Sequence, residues 1–107
     1  MALLYVTEFA EMAIGPGGRI GQITQQPPLA EQALIATNGG VVVSNFFTTS
    51  TRIVRLHTDV ICAIEFGTNP TAVAAGSTGT ARMAANQTEY YGVPGGGTFK
   101  VAVIGST

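Results

Sequence analysis

At 107 residues the chain suits one domain and is too short for two, and a hydrophobic content of 46% excludes a disordered tail. Charged residues make up only 10%, with a net charge of −1, against a usual charged share of about 25%. The cations Arg19, Arg52, Arg55, Arg82 and Lys100 are scattered, so the clustered charge that neutralises a phosphate backbone is missing and nucleic acid is not an expected partner.

In chain order, Leu3-Leu4-Tyr5-Val6-Thr7-Glu8-Phe9 is rich in β-formers and reads as a first strand. Residues 8–14 also allow a turn or two of helix. Gly15-Pro16-Gly17-Gly18 ends either version. A short strand is expected over 19–24, and Pro27-Pro28 forces an extended lead-in to 29–36. Asn38-Gly39-Gly40 signals a turn before a strand opened by Val41-Val42-Val43, with Phe46 and Phe47 near its end. Residues 48–51 read as a polar connection.

The next two strands carry a period-two pattern. Val54 and Leu56 alternate with Arg55 and His57, and Cys62, Ile64 and Phe66 alternate with Ala63 and Glu65. Val54, Leu56, Cys62, Ile64 and Phe66 therefore form one expected core face. The two strands are expected to pair as a hairpin around Thr58-Asp59, with an odd-length loop to keep the parity. Residues 71–79 read as a surface loop, 80–85 as a strand, Asn86-Gln87 as a turn and 89–93 as an aromatic strand. Pro94-Gly95-Gly96-Gly97 then connects to a final strand over 99–104. Seven to eight short antiparallel strands with frequent turns predict an all-β fold, a small β-sandwich or barrel. One β-domain spans 1–107, with 1–36 read as an N-terminal arm or as edge strands used in assembly.

Chemistry is sparsely supplied. A hydrolytic triad would have to use His57, the one histidine, with Asp59 across a turn. Cys62 has no disulfide partner in the chain and sits in an apolar strand, as a structural thiol does. One His and one Cys cannot close a zinc site. The glycine-rich stretch around Arg19 lacks the Gly-Lys-Ser/Thr of a phosphate loop and has Ile20 where the dinucleotide pattern needs its third glycine. No catalytic, metal or cofactor-binding residue is assigned, and the expectation is a protein that is not an enzyme and carries no cofactor. The opening lacks a basic n-region, and Glu8 and Glu11 interrupt its apolar run, so neither a signal peptide nor a membrane partner is expected. Synthesis without export, in a reducing cytoplasm, is the expectation that follows from that reading.

The run IVRLHTDVICAIEFGTNPTA, with RMAANQTEYYGV, FKVAVI, the opening LLYVTEF and the segment QQPPLAEQ, resembles small head decoration (cement) proteins of tailed bacteriophages. The resemblance implies a jelly-roll-like or β-tulip fold, a place on the capsid exterior of the virion, and capsid stabilisation by clamping neighbouring major capsid proteins. It also implies a homo-oligomer, a homodimer or homotrimer. Candidate assembly contacts are Leu3, Leu4, Tyr5, Phe46, Phe47, Tyr90 and Tyr91. The rival reading is a carbohydrate- or receptor-binding module of a phage tail or fibre, resting on Tyr90, Tyr91 and the loops.

Overall fold

A computed structural model describes residues 2–14, 20–24, 26–37, 39–73 and 80–105, with the backbone alone at 12–14 and 20–24. Among them the chain is all-β and contains no helix. The strands are β1 (Leu3–Phe9), β2 (Met12–Ile14), β3 (Ile20–Thr24), β4 (Ala30–Ile35) and β5 (Val42–Val43), then β6 (Ile53–Thr58), β7 (Cys62–Gly67), β8 (Ala81–Met83), β9 (Thr88–Gly92) and β10 (Lys100–Gly105). Strand, not helix, continues beyond Phe9, since β2 and β3 form an antiparallel ribbon. The glycine turn at 15–18, Asn38 and most of the 71–79 loop lie outside the described residues.

Eight strands form two four-stranded sheets, in the orders β4-β1-β6-β9 and β5-β10-β7-β8, with every pairing antiparallel. From β4 onward the chain changes sheet at each connection except the one from β7 to β8. That winding is jelly-roll-like, with β1 in the interior place that a jelly roll gives its last strand. The sheets stack over one core to which both contribute: Leu4, Val6, Val54 and Leu56 from the first, Cys62, Ile64, Met83, Val101 and Val103 from the second. The even-numbered inward set is buried as far as Ile64, while Phe66 is partly buried against the cluster and touches the rings of Phe47 and Tyr91.

The expected hairpin does not form. β6 is flanked on both edges, by β1 and β9, so it has no edge to offer β7, which pairs instead with β10 and β8. Residues 59–61 cross from one sheet to the other. Thr58 makes the corner: its Oγ1 donates to the Val60 carbonyl at 2.6 Å and accepts from Val60 N–H at 3.2 Å. Its backbone also bonds the next crossover, donating to Gln87 O and accepting from Asn86 N–H. Asn86 takes a φ of 60°, a left-handed turn conformation that asparagine tolerates. The alternation survives because an odd-length crossover and an odd-length hairpin loop put the same parity inside.

The first strand is not an arm. β1 lies inside its sheet between β4 and β6, with Leu4 and Val6 in the core. Edge character belongs to β4, which pairs with β1 alone among the described strands. The short β5 is extended by Ser44, whose N–H donates to Val101 O at 2.8 Å and whose Oγ accepts from Val101 N–H at 3.0 Å.

Candidate functional site

The candidate contact residues separate by burial. Leu4 and Phe47 are core residues, fully or almost fully buried, and are withdrawn from the candidate surface: an enclosed side chain has no area left for a partner. Leu3 and Tyr91 are half-buried, Tyr91 packing against the core. Tyr5, Phe46 and Tyr90 stand exposed. Each adjacent pair splits because neighbours along an extended chain point to opposite sides. Phe46 lies under the Lys100 ammonium, 4.2 Å from its ring centroid.

Two surfaces result. The first is a rim along one side of the sandwich, where edge strands β4 and β5 approach each other. Gln32 Oε1 accepts from Asn45 N–H at 3.1 Å across this gap and ties the sheets together. On or beside these two edge strands Leu29, Ile35, Val41, Val43 and Phe46 are left between 38% and 54% exposed, with Ile35 on the outer side of the first sheet and Val43 on the outer side of the second. Sequence reading found only Phe46 here; the signal it passed over is that odd-numbered Ile35 and Val43 belong to strands with an edge to spare, and Val41 immediately precedes one.

The second surface is the outer face of the β4-β1-β6-β9 sheet. Register places Glu31, Thr7, Arg55 and Tyr90 in one row, and Ala33, Tyr5, His57 and Thr88 in the next. A shallow depression of ≈ 280 Å³ opens among Tyr5, Thr7, Glu31, Arg55, His57 and Thr88. His57 Nδ1 and Thr88 Oγ1 are 2.7 Å apart, and the Tyr5 and His57 rings are 6.2 Å apart, tilted by 37°. Asp59 comes to 3.9 Å of His57 Nε2, beyond hydrogen-bond reach. The carboxylate therefore does not hold the imidazole as the orienting member of a triad does. Among the described residues no three His, Cys, Asp or Glu side chains gather in a metal-holding group, and no helix is long and apolar enough to cross a membrane.

Cys62 lies in the core. Burial pushes its thiol above the ordinary value, only partly offset by its hydrogen bond with Thr58 Oγ1 at 3.5 Å. Tyr91 is also raised, first by burial and then by the nearby charges of Glu89 and Cys62. Both groups keep their protons in the folded chain at a pH where the unfolded chain releases them. Their contribution is thus fully present below about pH 8.5 and is lost as pH rises through the folded values. Urea midpoints are expected to fall between pH 8 and 10. At neutral pH a disulfide reagent should label Cys62 only as fast as the fold opens. Immediate labelling of the native chain would contradict its enclosure.

No family model, curated protein or solved structure matches this chain. Fold and site together define a small two-sheet β-sandwich with exposed apolar side chains beside two edge strands and a polar depression on a sheet face.

Proposed function

We propose that this protein is a virion structural component that decorates the outside of a tailed-phage head and clamps neighbouring major capsid proteins, acting as a homo-oligomer. The observation that carries the reading is the set of exposed apolar side chains Leu29, Ile35, Val41, Val43 and Phe46 on or beside the edge strands β4 and β5. A strand with a single strand neighbour among the described residues, flanked by large exposed apolar side chains, is a surface that a partner covers, and otherwise a liability to aggregation. The chain's low charge supports the same reading, because neutral polar surroundings are cheaper to desolvate than charged ones. Rigid antiparallel β-structure holds such a contact in one shape. Repetition over a symmetric shell multiplies a modest contact through avidity.

Added to mature heads of its own phage, the purified protein should bind saturably and raise the temperature at which the heads release DNA. Ile35→Asp and Phe46→Asp place a charge in the rim without touching the core, and should weaken head binding by about tenfold or more. Their unfolding midpoints should stay close to that of the parent. Absence of binding to any mature head, or binding indifferent to both substitutions, would sink the proposal.

A further inference from the structure

We infer that the depression on the outer face of the β4-β1-β6-β9 sheet is a binding site for a neutral saccharide, of one or two sugar rings. The inference is independent of the rim and of where the protein sits in a virion.

The shape follows from the register. Thr7 is short and nearly buried, and its neighbours across the sheet are Glu31 on one side and Arg55 on the other. Tyr5 stands beside it on the same face of β1. A short residue between long ones leaves a floor between walls. Strands lie about 4.8 Å apart, so the backbones carrying Glu31 and Arg55 are roughly 10 Å from each other. No ion pair joins those two side chains among the described residues. The gap therefore presents a two-oxygen acceptor facing a guanidinium fork, with room for a ring in between. Its volume, ≈ 280 Å³, falls just below the range of about 300–1,000 Å³ for small-molecule sites, which limits the occupant to something small.

The chemistry of the lining selects the ligand class. One carboxylate and one guanidinium cancel, so the site offers an anion or a cation no net attraction. An apolar ligand would strand the donors and acceptors of Glu31, Arg55, His57 and Thr88. A sugar uses all of it. Vicinal hydroxyls both donate and accept, matching a carboxylate and a planar fork at bidentate spacing. The exposed ring of Tyr5, braced by His57, offers an apolar face to the C–H side of a pyranose. The His57–Thr88 contact fixes the far wall from two different strands.

The test is a titration followed by amide ¹H–¹⁵N spectra of the whole chain. The probes are the methyl glycosides of glucose, galactose, mannose, N-acetylglucosamine and rhamnose, with sodium phosphate and sodium acetate as anion probes. The expected result is saturable shifts at the amides of Tyr5, Thr7, Arg55, His57 and Thr88 with at least one glycoside and neither anion. Tyr5→Ala and Arg55→Met, both on the outer face, should each weaken that binding by about tenfold or more while the remaining amides keep their positions. Three results would overturn the inference: no saturable shift with any glycoside, shifts with the anions alone, or glycoside binding that survives both substitutions.

Discussion

Phe47→Ala is expected to lower the unfolding free energy by about 3–5 kcal/mol, whereas Phe46→Ala should change it by no more than about 1 kcal/mol. The two residues are adjacent and chemically identical, and only one is enclosed: Phe47 is 2% exposed and Phe46 54%. Phe47 packs in the core cluster, its ring 6.3 Å from that of Phe66, which in turn lies 5.1 Å from Tyr91. Truncation removes the ring's transfer free energy and leaves a cavity between two sheets, and neither sheet can close on it without losing its ladder. Phe46 forfeits only its contact with Lys100, a surface cation–π pair worth about 0.5–1 kcal/mol at most. Urea denaturation of the two variants checks this directly. Equal effects would mean that the sandwich does not enclose Phe47.

The second large effect is expected at Glu8. Its position in β1 shares the inward parity of Leu4 and Val6, and it is buried. Its Oε1 accepts from Thr48 N–H and from Thr51 Oγ1, each at 2.8 Å. Thr51 has one hydroxyl proton and gives it to Glu8, so Thr48 must donate in the 2.7 Å contact between the two hydroxyls. This chain of bonds fastens the 48–51 connection to the first strand, 40 residues away. Glu8→Ala strands a backbone donor and a hydroxyl in an enclosed place. The cost should be about 3 kcal/mol, the scale of leaving a buried donor unsatisfied. Glu8→Gln keeps an acceptor oxygen and should cost about 1 kcal/mol. If the alanine variant unfolds within about 0.5 kcal/mol of the parent, the carboxylate does not anchor the connection.

These two residues also show how far the chain could be read. The amino-acid order disclosed which side of a strand is inside, because a period of two survives any choice of neighbour. Val54, Leu56, Cys62 and Ile64 needed nothing more. The expected spans of β1, β4 and β10 lie close to the observed ones for the same reason. Glu8 was legible only as an interruption of an apolar run; its inward parity and the polar 48–51 connection were the available signals. Phe47 could not be separated from Phe46, since adjacency says that one of the two points inward and not which.

By itself, then, the sequence determined an all-β fold and the parity of its main core strands. These depend on local propensity and on alternation, both written within a few residues. Tertiary structure alone decided the partners. β6 and β7 face each other across the core instead of pairing, and β1 sits inside a sheet. The rim and the depression exist because β4 comes beside β5 on one side and beside β1 on the other. Such juxtapositions are set by the competition of strands distant in sequence for the same edges, and no local pattern records who wins.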